Sequence, residues 1–185
     1  LWLLIIMAGF FVIAAGMMQQ FSSYASTGAL GAAVGAMGVT VCMIGQLFGK
    51  FGLGWLCDHT GARVSGVVAS IFGAAGIAIV LFSVDNAMMF YVGVFLFGIG
   101  FAALNIVPPM ACRQAFGQKD YANIFSMVAT GLNVFSGFSA LIYAQIFDIT
   151  GSFAGCFYLI IGFYVVTLIC SLVIVPMGRR SWAKK

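Results

Sequence analysis

Gly54-Trp55-Leu56-Cys57-Asp58-His59-Thr60-Gly61-Ala62-Arg63 is the densest cluster of charged and turn-forming residues in a chain that is otherwise mostly apolar. A carboxylate, an imidazole and a guanidinium lying this close together would be ordinary in a soluble protein. Here very apolar sequence runs away from them in both directions, so they mark a point where the chain must meet water.

The composition around this stretch sets the class. Hydrophobic residues make up 63% of the chain and charged residues 6%, and the mean hydropathy is +1.15. An ordinary soluble domain carries about 25% charged residues. The chain therefore reads as an all-α membrane protein with the lipid bilayer as its first partner. Crossing a hydrocarbon core of ~30 Å takes roughly 20 apolar residues as helix, and each segment must satisfy its own backbone hydrogen bonds because lipid offers no partner.

Outward from the opening stretch, apolar length and turn clusters predict six transmembrane helices in a single bundle over residues 1–185. The stretch closes a span at 31–56 and precedes one at 64–82, which Ser83-Val84-Asp85-Asn86 stops with turn-favouring side chains. Upstream, a first span at 1–22 ends in Gln19-Gln20-Phe21-Ser22-Ser23-Tyr24. Downstream, a span at 88–107 meets Pro108-Pro109, a pair that cannot continue a hydrogen-bonded helix cleanly. A polar link from Arg113 to Asp120 leads to a span at 121–147, which Asp148-Ile149-Thr150-Gly151 ends. The last span, 153–175, precedes Pro176 and a basic tail at 178–185.

The basic residues give an orientation. All eight (Lys50, Arg63, Arg113, Lys119, Arg179, Arg180, Lys184 and Lys185) fall near the second-to-third link, in the fourth-to-fifth link or in the tail. Short loops rich in Lys and Arg stay cytoplasmic, so the expectation is a multi-pass protein of the cell (inner or plasma) membrane with both termini cytoplasmic. Because the net charge of +4 is divided among separate loops, no nucleic-acid partner is expected. The five cysteines (Cys42, Cys57, Cys112, Cys156 and Cys170) have no paired spacing, so neither a zinc site nor a disulfide framework is indicated. No metal or cofactor is expected. An enzyme is disfavoured, because no His, Asp, Glu and Ser cluster lies at mid-membrane to perform chemistry. The sequence enters a full apolar span directly at Leu1, without the basic start of a signal peptide, and reads as a piece of something longer.

Gly54, Leu56, Asp58, Gly61 and Arg63 spell Gly-x-Leu-x-Asp-x-x-Gly-x-Arg. This resembles the cytoplasmic loop motif of the major facilitator superfamily of secondary transporters, which joins the second and third helices of a six-helix half. His59 stands where a basic residue is usual, and Ala62 and Val64 replace two further basic positions, an erosion typical of the second half's copy. The resemblance implies a gating role for Gly54, Asp58, Gly61 and Arg63. In this reading Gly54 permits close helix approach, Gly61 supplies the turn, and Asp58 faces a neighbouring helix N-terminus, where negative charge is favoured by ~0.3–1 kcal/mol.

Asp58-His59-Thr60-Gly61 is echoed by Asp148-Ile149-Thr150-Gly151, and 148 − 58 = 90, close to half the chain. With one copy cytoplasmic and the other external, Asp148 and Gly151 become the counterpart in a 3+3 inverted repeat, the arrangement expected of half a major facilitator fold. The run from Phe116 to Tyr121, Gly131, Gly137 and the run from Phe147 to Phe153 resemble the second half of the monocarboxylate and oxalate/formate antiporter branches. Carriers of that type often hold a mid-membrane Lys or Arg in this half; none is present here.

What the spans do carry is polar and neutral. Gln19, Gln20, Tyr24, Asn105, Asn133, Ser136 and Tyr143 are the candidates for a substrate cavity, since such groups are costly in hydrocarbon unless they pair or face a cavity. Asn133, Ser136 and Tyr143 share one helical face by their spacing. Small residues recur at four-residue spacing along the second helix (Gly28, Ala32, Ala36 and Thr40; Gly31 and Gly35; Gly45 and Gly49), which predicts tight packing on several sides. The favoured function is secondary active transport of a small-molecule substrate, an organic anion such as a monocarboxylate, by alternating access against a missing N-terminal six-helix half. The alternative is a six-helix substrate-binding subunit of an energy-coupling-factor-like importer, driven by a separate partner subunit.

Overall fold

Long apolar runs punctuated by glycine turns give six α-helices: α1 (Trp2–Thr27), α2 (Ala32–Thr60), α3 (Ala62–Phe82), α4 (Ala87–Phe116), α5 (Tyr121–Thr150) and α6 (Ala154–Trp182). All six are long and apolar enough to cross a membrane. The computed structural model describes residues 2–27, 30–83, 86–117, 121–151 and 153–182. Asp85, Lys119, Asp120, Lys184 and Lys185 lie outside the described residues.

The helices run further than their apolar cores. α1 continues to Thr27 rather than stopping near residue 22, α2 reaches Thr60 rather than 56, and α5 reaches Thr150 rather than 147. The polar side chains at these ends bond to their own helix: Ser26 Oγ donates to the Ser23 carbonyl at 2.9 Å and Thr60 Oγ1 to that of Leu56 at 2.7 Å. They mark the water boundary without ending the helix. α6 likewise passes Pro176 and runs into the basic tail as far as Trp182.

α4 departs most from expectation, passing through Pro108 and Pro109 to Phe116 instead of stopping at 107. A proline inside a helix costs ~3 kcal/mol or more through its lost hydrogen bond and its clash with the preceding turn. Tertiary packing outweighs this, because α4 is the hub of the bundle and touches every other helix, with its broadest contacts on α2 and α3.

Glycine makes that hub possible. A β-carbon on Gly98 would collide with the carbonyl oxygen of Cys42, and one on Gly45 with that of Phe95, so α2 and α4 cross with backbones touching from both sides. Gly76 and Gly93 do the same between α3 and α4. The tight packing of α2 is confined to one stripe: Gly35, Gly38, Cys42, Gly45, Gly49, Leu53 and Cys57 are buried. Ala32, Ala36 and Thr40 are exposed, so their row, whose Gly28 lies outside the described residues, does not pack within this chain. The expectation of packing on several sides was too broad because four-residue spacing does not distinguish a covered face from an open one.

The two three-helix units contact one another in matching ways. α2 rests on α1, α3 and α4, and α5 rests on α4, α6 and α1, as exchanging the units would require. Among the described residues α2 and α5 do not touch, whereas α3 and α6 pack together. Ser70 and Thr167 pair their hydroxyls at 3.0 Å in that buried α3–α6 contact. At the end of the bundle away from Gly61, Phe21 meets Phe90 and Phe97 edge-on at 6.1 and 5.2 Å.

Candidate groove and the Gly61 turn

Between α1, α4 and α5 the bundle is open. One hollow of about 250 Å³ is lined by Val12, Gly16, Gln19 and Gln20 of α1, Leu104 of α4, and Ser136 and Ser139 of α5. A second of about 280 Å³ is lined by Val12, Leu104, Asn105, Pro109, Asn133 and Ser136. Because Val12, Leu104 and Ser136 border both, the two form one groove. Its far end adjoins a third hollow of about 420 Å³ at Pro109, Met110, Arg113 and Tyr121.

Five predicted cavity residues, Gln19, Gln20, Asn105, Asn133 and Ser136, come together here. They supply amide and hydroxyl groups and no charge. Asn133 donates one of its two Nδ2 hydrogens to the Ala129 carbonyl at 3.0 Å. Ser139 also lines the groove while bonding the Ser136 carbonyl at 2.8 Å.

Two predicted residues lie elsewhere. Tyr143 is buried against α1, where its hydroxyl donates to the Ile13 carbonyl and its ring lies over Gly16. Its spacing from Ser136 gives it the right face of α5, but α5 leans onto α1 within those two turns, and the face closes. Tyr24 sits in the aromatic cluster, 5.0 Å from Phe157 and 6.1 Å from Phe90 between ring centroids. Its polar neighbours in the sequence suggested a cavity; its ring instead follows the apolar faces of α4 and α6.

At the other predicted site, Gly61 alone separates α2 from α3. Its φ of 91° and ψ of 167° lie in a region essentially reserved for glycine. Asp58 is exposed, and α3's first amide, that of Ala62, is met by Gln114 Oε1 from the end of α4 at 3.1 Å. Gly54 permits no close approach within this chain, since a β-carbon there would meet nothing within 4 Å. Arg63 is exposed, and His59 Nδ1 lies 2.9 Å from the Trp55 carbonyl.

The two D-x-T-G copies share one local geometry. Gly61 N–H donates to Cys57 O at 2.9 Å and Gly151 N–H to Phe147 O at 2.8 Å. Thr60 Oγ1 donates to Leu56 O at 2.7 Å and Thr150 Oγ1 to Ile146 O at 2.6 Å. Both glycines have positive φ, 91° and 64°, while Asp148, like Asp58, is exposed.

No protein family profile and no curated protein matches the sequence. Among solved structures, "Crystal structure of auto inhibited POT family peptide transporter" aligns with a TM-score of 0.74 over 96% of this chain at 20% identity. The chain spans 36% of that transporter's length. At this identity the likeness speaks for the fold alone: six helices, each long and apolar enough to cross a membrane, are arranged as in a part of that structure.

Proposed function

We propose that the chain is the C-terminal half of a secondary transporter, moving a small organic solute by alternating access as it rocks against an N-terminal six-helix half. The observation that carries this is the state of α5. In its most apolar window only 11% of α5 is buried, yet Asn123, Ser126, Thr130 and Asn133 lie exposed along one stripe at helical spacing. Lipid is a costly surrounding for such a stripe. A second half across a water-filled path supplies a fitting one. The reading is tested in the genomic frame upstream of Leu1, which is expected to encode about six further spans and a better-kept copy of the loop motif. A start codon just before Leu1 would sink it in favour of a six-helix substrate-binding subunit.

The substrate class rests on the resemblance of the Phe116–Tyr121 and Phe147–Phe153 runs to carriers of monocarboxylates and oxalate. Among the described residues, those lining the two hollows of the groove carry no charge, and the amide donors of Gln19 and Gln20 would hold the carboxylate. Positive-inside bias puts the Gly61 end and both termini in the cytoplasm. There Gly54, Asp58, Gly61 and Arg63 would act as a latch, with the open surface at Gly54 meeting a helix of the other half and Asp148 and Gly151 forming the external counterpart. Asp58→Asn in the full-length protein is expected to slow uptake several-fold at unchanged expression. Unaltered uptake would remove Asp58 from the latch.

A further inference from the structure

The hollow at the end of α4 differs from the two that make up the groove. Pro109, Met110, Arg113 and Tyr121 line it, and Arg113 is the one charged side chain among the described residues that border any of the three hollows. It stands at the end of its span, since the apolar part of α4 closes at Gln114 and that of α5 begins at Tyr121. The hollow therefore lies at the water boundary of the bundle.

Its walls lead inward from there. Asn105, Pro109 and Arg113 follow one another at four-residue spacing along a single row of α4. On α5, Tyr121 stacks on Phe125 with ring centroids 5.4 Å apart and planes 6° from parallel. Phe125 and Leu132 then line the adjoining hollow. A cation at the boundary is thus continued by proline, methionine and aromatic surface running into the depth of the span.

Basic residues are general at cytoplasmic helix ends, which accounts for the charge of Arg113 and not for the hollow beside it. One exposed guanidinium holds a free ion weakly, because water screens the pair, and the side chains of Pro109 and Met110 have no donor to add. A ligand of this hollow has to gain the rest of its binding from apolar contact. An anion that carries hydrocarbon satisfies both parts, with a charge-assisted hydrogen bond at Arg113 and apolar contact along Met110, Tyr121 and Phe125. At this level of a bilayer, where amphipathic rings such as Tyr121 are favoured, the anion that carries hydrocarbon is a phospholipid.

We propose that the Arg113–Tyr121 hollow is a binding site for the headgroup of an anionic phospholipid of the cytoplasmic leaflet. That leaflet carries anionic lipid, and basic pockets between helices on that side hold such headgroups. The inference uses the orientation given above and is independent of the solute. Its test reads melting rather than uptake, so its failure leaves the transport reading standing.

The experiment is thermal melting of the full-length protein in a neutral detergent. The additions are dioleoylphosphatidylglycerol, dioleoylphosphatidylcholine as a lipid of equal tails without net charge, and glycerol phosphate as a headgroup without tails. Phosphatidylglycerol is expected to raise the melting temperature several degrees more than phosphatidylcholine, because a ligand bound by the folded state stabilises it. Glycerol phosphate is expected to leave it unchanged. Arg113→Gln is expected to erase the difference between the two lipids. Arg63→Gln, which removes an equal charge from an exposed site at the same end of the bundle, is expected to keep it. Tyr121→Ala leaves the guanidinium in place and is expected to reduce the difference, which keeps the site testable where an Arg113→Gln protein does not fold. Equal melting in the two lipids overturns the site, and so does an equal loss from Arg113→Gln and Arg63→Gln, which would mark general surface charge. A gain from glycerol phosphate as large as that from the lipid overturns the lipid assignment in favour of a free oxyanion.

Discussion

Gly98→Val is expected to abolish the folded bundle. A β-carbon at this position would collide with the Cys42 carbonyl and stand 3.0 Å from the Gln46 backbone nitrogen. Valine adds two methyl groups to that β-carbon, and the atoms in the way belong to a backbone that cannot rotate aside as a side chain can. Overpacking a core typically costs 1–3 kcal/mol, occasionally more. Here α2 would have to leave its broad contact with α4, so a loss of roughly 3 kcal/mol or above is expected. The measurement is the yield and thermal melting of the monodisperse protein in detergent, with Gly54→Ala as the control. Nothing lies within 4 Å of a β-carbon at Gly54, and alanine in a helix interior is favoured over glycine by roughly 0.5–1 kcal/mol. The two variants should shift melting in opposite directions. A Gly98→Val protein that melts like the unaltered chain would refute the close crossing of α2 and α4.

The second large effect is on transport rather than folding. Ser136→Trp in the full-length protein is expected to reduce uptake to background while leaving the melting temperature almost unchanged. Ser136 borders both hollows of the groove and is exposed, so an indole there would occupy space without displacing a packed neighbour. Exposed substitutions of this kind change stability by roughly 0.5 kcal/mol or less, whereas the hollow of about 250 Å³ is small enough for one indole to obstruct. Tyr143→Phe gives the contrast. It removes the hydroxyl that bonds Ile13 and leaves the groove untouched, so it acts on the α1–α5 contact. Normal uptake by Ser136→Trp would show that the solute path lies elsewhere.

These two experiments separate what was legible in the residues from what was not. Gly61 was readable as a turn because a lone glycine between charged residues and a new apolar run has few other uses, and its φ of 91° is a local property. Gln114 was not readable as the cap of α3. It lies 52 residues from Ala62, and nothing in its neighbourhood announces the distant amide that it meets. The same contrast holds within α5. Asn133 and Ser136 could be placed on one face by periodicity alone, but the point at which that face stops lining a groove and becomes an α1 contact, between Ser136 and Tyr143, depends on how the two helices lean.

Sequence by itself determined the solvent and the segmentation. Hydrocarbon allows few backbone solutions, each span must satisfy its own hydrogen bonds, and so apolar length and turn residues suffice to place six helices. Tertiary structure decided everything that depends on a neighbour. It carried α4 through two prolines because packing on α2 and α3 outweighed the local cost. It made Gly45 and Gly98 crossing points while leaving Gly54 open. It gathered five neutral polar residues from α1, α4 and α5 into one groove. In lipid no general drive buries apolar side chains against one another, so helix association follows close fit and a few polar contacts. Those are set by the shapes of surfaces far apart in the chain, which no single stretch of it records.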